Sequence, residues 1–195
     1  MSRSWEFVPF VLGSLRRPIS TGAFVPSSRG CARALLDGID MVDTDTVVEL
    51  GAGTGAITRA LDAALPASAR LLAVEINDGF AERLRRTAPP RVEVVCDSAV
   101  ELPRILDEHR VERVDAVVSA LPWTVMRSED RRAVLTAVAK VLQPEGVFAT
   151  LLSVHRARTD SGREFESLLA DTFTEVRRGR TIWTNLPPVT AYHCT

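Results

Sequence analysis

The spacing of apolar residues along this chain switches repeatedly between two periods, and each switch marks an element. Residues 47–50 form a short apolar run rich in β-branched side chains, as in a strand covered on both faces, and apolar positions then recur at helical spacing over 57–65. The alternation continues with a strand at 71–75 and a helix over 77–87. A strand at 92–96 precedes a helix to His109, for which Ser98 and Glu101 have capping-box spacing. A strand at 114–119 leads to a long helix capped by Ser128 and ending at Leu142, with Glu129 and Asp130 in the first turn, where the helix dipole favours them. A strand at 146–154 follows, then a helix to Asp171 opened by a second capping box, Ser161 and Glu164. The last two strands, 173–184 and 189–194, are separated only by Asn-Leu-Pro-Pro, too short for a parallel crossover, so they pair antiparallel. Five βα units and a terminal hairpin predict an α/β fold: a mostly parallel sheet, covered by helices, with one reversed strand.

The first 40 residues read differently. In 1–17, Trp5, Val8, Leu12 and Leu15 share one helical face, widened by Phe7, Phe10 and Val11, and Pro9 must start or kink such a helix. Pro18 and the stretch 20–28 break the pattern. Ser27 or Ser28 then caps a helix whose apolar positions are Cys31, Ala34, Leu35 and Ile39. This divides the chain into a helical appendage, 1–40, and a core, 41–195, within a single domain.

The chemistry gathers where the first core strand ends, in T-V-V-E-L-G-A-G-T-G over 46–55. Gly51, Gly53 and Gly55 between a strand and a helix let the backbone approach a polar ligand closely. Gly51, Gly53 and Ala56 also satisfy the dinucleotide fingerprint, which on its own is a weak signal. Glu75 closes the second strand, 24 residues after Gly51, where a carboxylate accepts from two ribose hydroxyls in either kind of site. Asp97 ends the third strand and is placed to accept from an adenine amino group, with the Ser98 N–H meeting the ring. No lysine lies in the turn to meet a phosphate, and 195 residues leave little room for the separate substrate domain of a nicotinamide enzyme.

Composition narrows the partners. A net charge of −1 gives no global pull towards nucleic acid or an anionic membrane. The charge is uneven, however: residues 1–33 carry five arginines against one glutamate, a net +4. Cys31, Cys96 and Cys194 show no metal-ligand spacing and are expected to be reduced, buried packing residues of a cytoplasmic protein, with no metal site.

With Gly51–Gly55, Glu75, Asp97, S-A-L-P-W at 119–123 and the terminal hairpin in place, the chain from Thr46 onward resembles the class I S-adenosylmethionine-dependent methyltransferases. The resemblance implies a Rossmann-like, seven-stranded sheet with the last strand inserted antiparallel. It implies cofactor contacts from Glu49, Gly51, Gly53 and Gly55, from Glu75 and Ile76, from Asp97 and Ser98, and from Ser119, Thr21 and Gly22. Glu49 takes the methionine ammonium, directly or through water.

More narrowly, T-G-A-F-V-P-S-S at 21–28, S-A-L-P-W at 119–123 and residues 182–188 resemble bacterial phospholipid N-methyltransferases, which are similar in turn to ribosomal RNA adenine dimethyltransferases. The implied reaction is methylation of phosphatidylethanolamine towards phosphatidylcholine. In the related Asn/Asp-Pro-Pro-aromatic segment the first side chain accepts from the amine and the aromatic flanks its nitrogen. Here Pro122 and Trp123 match, while Ala120 and Leu121 replace the first two positions. The missing amide argues against a planar adenine amine and suits an alkyl amine. Leu121, Pro122 and Trp123 are therefore the candidate acceptor residues, with packing the alternative for Trp123. His155 is the best-placed candidate base, with a partly exposed strand-end histidine the alternative. Residues 1–17 resemble an interfacial amphipathic helix, able to visit the inner face of the membrane or to close over the cofactor as a lid. A soluble amine is the alternative acceptor, and a nucleic acid acceptor is disfavoured.

Overall fold

The structure is a computed structural model that describes residues 29–195. The expectations for the amphipathic segment, Ser27, Ser28, Thr21 and Gly22 lie outside the described residues. Seven strands form one sheet: β1 (Thr46–Leu50), β2 (Arg70–Glu75), β3 (Val92–Cys96), β4 (Val114–Ser119), β5 (Leu142–Ser153), β6 (Val176–Ile182) and β7 (Val189–Cys194). Their spatial order is β3-β2-β1-β4-β5-β7-β6. The first five are parallel, and β7 runs antiparallel to both neighbours, as the short hairpin connection requires.

Among the described residues six α-helices flank the sheet: α1 (Arg29–Leu36), α2 (Ala56–Ala64), α3 (Asp78–Thr87), α4 (Leu102–Glu108), α5 (Ser128–Val141) and α6 (Asp160–Thr172). The two-residue period of β1 sorts its side chains to opposite faces. Val47 packs with Leu35 of α1 and Ile57 and Leu61 of α2, whereas Val48 and Leu50 pack with Ile105 of α4, Val138 of α5 and Leu169 of α6. Cys31, Ala34 and Leu35 are buried in the first of these clusters, so α1 packs on the sheet.

Several predicted ends move, each because a different side chain supplies the hydrogen bond. Ser98 accepts from Val100 N at 3.4 Å and opens a 3-10 turn, while Glu101 pairs with Arg104 in place of closing a capping box. Ser128 is the first residue of α5, not its cap, and its hydroxyl bonds Glu164. That leaves Thr159 to cap α6 through Gly162 N at 3.2 Å, so the Ser161–Glu164 box does not form. Strand β5 begins at Leu142, before the predicted start, despite Pro144 and Gly146: a register shift against β4 absorbs them, and Gln143 reaches Asp115 Oδ1 at 2.5 Å. Asp115 also accepts from Thr46 N at 2.7 Å and so ties together the starts of β1, β4 and β5. Strand β6 starts late because Thr174 N and Glu175 N both donate to the Thr195 carbonyl. Cys96, expected inside, is exposed, because β3 is an edge strand.

Candidate active site

The carboxyl ends of β1 to β5 share one edge of the sheet, where open α/β folds bind ligands. Gly51, Gly53 and Gly55 all take the left-handed conformation, with φ of 78°, 53° and 79°. Gly51 N donates to Val74 O at 2.8 Å, and Gly55 N to Ala52 O at 2.9 Å, so the turn is held by its own backbone. A Cβ on Gly51 would lie 3.0 Å from Leu121 Cδ2. Among the described residues one on Gly53 would meet no atom nearer than Gly51 O at 4.0 Å, which leaves room there for a ligand.

Glu49 lies beneath the turn, fully buried. Its Oε2 accepts from Thr58 Oγ1 at 2.5 Å, and its Oε1 has no partner among the described residues. Burial drives its pKa up to about 7, opposed by the Thr58 hydrogen bond and reinforced by the charge of Glu75. A buried carboxylate oxygen without a donor is an acceptor in waiting. Glu75 Oε2 takes the Gly53 N–H and Oε1 the Asn77 N–H, both at 2.8 Å, so this carboxylate also shapes the turn. Burial raises its pKa as well, against those backbone bonds. Ile76 follows, half-buried.

Glu49 carries a pH prediction. Its folded pKa lies above its ordinary value, so the folded state binds the extra proton. The stability this confers is complete below pH 4.5 and is lost as pH rises through about 7. Relative to Glu49→Gln, the wild type should lose up to about 3 kcal/mol across that window, at ~1.4 kcal/mol per unit. Denaturant melts of both proteins from pH 4 to 8 measure it, and parallel curves contradict it.

At the other strand ends the structure differs from expectation. Asp97 forms an ion pair with Arg104 at 2.5 Å and takes the Ser98 N–H at 2.7 Å, so the donor expected to meet an adenine ring is engaged by the neighbouring side chain. Ser119 is fully buried, and its Oγ accepts from Leu121 N at 3.3 Å, so it holds the segment that follows β4 from beneath.

Trp123 is corrected outright. Its ring is 1% exposed, stacked on Phe165 at 4.7 Å and edge-on to Phe148 at 6.1 Å. Its Nε1 donates to Thr150 Oγ1 at 2.7 Å, and that hydroxyl donates to the Ser119 carbonyl at 3.2 Å. An indole with its N–H satisfied among three core elements cannot flank a substrate nitrogen. Leu121 and Pro122, both half-buried, remain at the edge. His155 is exposed just beyond β5, with Nδ1 2.8 Å from Ser153 Oγ.

Three supporting residues are not foreseeable from the sequence pattern: Thr58, Thr150 and Arg131. Arg131 is almost fully buried, donates to the Trp123 carbonyl at 3.2 Å and pairs with Glu164. Thr150 interrupts the apolar run 147–152 within β5, and that is its only signal.

Residues 47–146 match the family model described as a methyltransferase domain. The chain is 30% identical over 191 residues to the ornithine lipid N-methyltransferase of Singulisphaera acidiphila, covering 97% of this chain and 95% of the relative. The chain belongs to the class I S-adenosylmethionine-dependent methyltransferases. Among solved structures, precorrin-6Y C5,15-methyltransferase of Geobacter metallireducens superposes with a TM-score of 0.66 at 17% identity, over 90% of this chain and 92% of that one. Fibrillarin of Aeropyrum pernix, in complex with S-adenosyl-L-methionine, gives 0.65 at 16% identity, over 85% and 74%. The enzyme uses S-adenosylmethionine. The residues present fit it: a buried acceptor in Glu49 Oε1, an open approach over Gly53, and carboxylates at the ends of β2 and β3.

Proposed function

We propose that this methyltransferase methylates the aliphatic amine of a membrane lipid headgroup. The observation that carries the reading is the likeness to an ornithine lipid N-methyltransferase across almost the full length of both chains. The acceptor segment agrees: Ala120 and Leu121 stand where an adenine amine would need an amide acceptor, whereas a flexible alkyl amine needs only a shaped, largely apolar passage.

S-adenosylmethionine supplies a methyl group already activated on a sulfonium, so alignment provides most of the rate. On this reading Glu49 and the glycine turn hold the methionine end, and Glu75 and Asp97 face the adenosine. Leu121 and Pro122, held from beneath by Ser119 and Arg131, shape the acceptor side. The lipid amine arrives as an ammonium and must lose a proton, and His155 Nε2 is the candidate acceptor for it. The enzyme works as a peripheral protein on the cytoplasmic face of the membrane; among the described residues no helix is long and apolar enough to cross it.

The test is methyl transfer from labelled S-adenosylmethionine to vesicles containing ornithine lipid or phosphatidylethanolamine, beside free ornithine and ethanolamine. Labelled lipid supports the reading. Label on the soluble amines with none on either lipid overturns it.

A further inference from the structure

The turn joining β6 and β7 exposes two large apolar side chains, Trp183 at 73% and Leu186 at 94%. Single exposed apolar residues are commonplace on protein surfaces. These two share one short turn, and the turn is pinned. Asn185, between them, is buried: its Nδ2 donates to Pro187 O at 2.7 Å, and its Oδ1 accepts from Cys31 Sγ at 3.2 Å. The Pro188 carbonyl accepts from Val154 N at 2.9 Å. The interior therefore holds the turn by its polar residue and turns its apolar residues outward.

Three further features say what meets them. The first is position. Val189 pairs with Ser153, so the turn adjoins the carboxyl end of β5, beside His155 and on the catalytic edge. The second is charge. The segments that meet there, 153–159 and 180–188, contain Arg156, Arg158 and Arg180 and no acidic residue. Arg180 reaches Asp37 at 2.8 Å. Arg156 and Arg158 have no ion-pair partner among the described residues. The third is backbone chemistry. Pro187 and Pro188 have no N–H, and both their carbonyls already accept hydrogen bonds, so entry into a poorly hydrated layer leaves few orphaned groups.

Tryptophan favours the membrane–water interface, and arginines around it match anionic headgroups. We infer that the β6–β7 turn is a membrane-docking wedge: Trp183 and Leu186 enter the interfacial layer of an anionic bilayer while the arginines meet its headgroups, which brings the catalytic edge down onto the lipid amine. This rests on the lipid reading above, and it locates a contact on the core, separate from residues 1–17.

The experiment uses the full chain and the Trp183→Ser/Leu186→Ser variant, with vesicles of phosphatidylglycerol and phosphatidylethanolamine. Both side chains are exposed, so an unchanged melting temperature and unchanged S-adenosylmethionine affinity serve as controls. Vesicle sedimentation should weaken by about tenfold or more per side chain, the order expected for withdrawing a buried apolar side chain. In a Trp5→Phe background, which leaves the buried Trp123 and Trp183, emission should shift to the blue on adding vesicles. Vesicle binding unchanged in the double variant overturns the inference. So does Trp183 emission already blue-shifted without lipid and unaltered by it, because residues 1–28 would then cover the turn. Transfer to short-chain lipid below its aggregation concentration separates the two proposals. If the wild type methylates that lipid and the variant does so equally, the lipid reading stands whatever the vesicles show. If the wild type methylates no lipid in any form, the lipid reading fails by itself.

Discussion

Gly53→Val should weaken S-adenosylmethionine binding by at least about a hundredfold, equivalent to ~2.7 kcal/mol, while the protein still folds. Among the described residues a Cβ at this position meets no atom nearer than Gly51 O at 4.0 Å, so it projects into open space over the turn, where the cofactor is expected to lie. The backbone cost is separate and smaller. Gly53 has φ of +53°, and a left-handed conformation costs a β-branched residue on the order of 1–2 kcal/mol, or a melting temperature lower by roughly 2–8 °C. Titration calorimetry and a thermal melt on the same sample distinguish the two effects. Unchanged affinity would mean that the turn does not hold the cofactor.

Trp123→Ala should destabilise the fold by about 3–5 kcal/mol, the range for deleting a buried aromatic. The indole stacks on Phe165, meets Phe148 edge-on and donates to Thr150, so its removal opens a cavity and strips that hydroxyl of a donor. Trp123→Phe keeps much of the packing and should cost less, ~1–3 kcal/mol. It should leave the KM for the acceptor within about twofold, because the ring does not reach the catalytic edge. A stable Trp123→Phe enzyme with a greatly raised acceptor KM would show instead that the ring works on the substrate.

These two residues mark how far the sequence can be read. Gly53 is legible because its role is a backbone property. Three glycines between a β-branched run and a helical period admit few structures, and the same logic locates Glu49, Glu75 and Asp97 at strand ends. The antiparallel end of the sheet is legible for a related reason: a connection of four residues between the last strands forbids a crossover. Trp123 is not legible, because a side chain's direction after a strand is decided by what it can pack against. Phe165, Phe148 and Thr150 lie 42, 25 and 27 positions away in sequence. Arg131 is hidden in the same way, in a charged helical turn whose neighbours Asp130 and Arg132 are solvated or half-solvated. The capping boxes fail because Glu101 and Glu164 have stronger partners than a backbone N–H, namely Arg104 and Arg131. Charge-assisted bonds win that competition wherever tertiary structure supplies the arginine.

The proposed function joins a cofactor turn and a lipid amine in one event, and the place where a transferred methyl group ends up tests that join. A bacterial membrane lipid extract, total RNA and a small-molecule fraction can be incubated together with the enzyme and labelled S-adenosylmethionine, then separated. Label should appear in the lipid phase on headgroup nitrogen, and none should appear with Gly53→Val. Label in RNA or in the soluble fraction, with the lipid phase blank, would show that the acceptor is not a lipid amine.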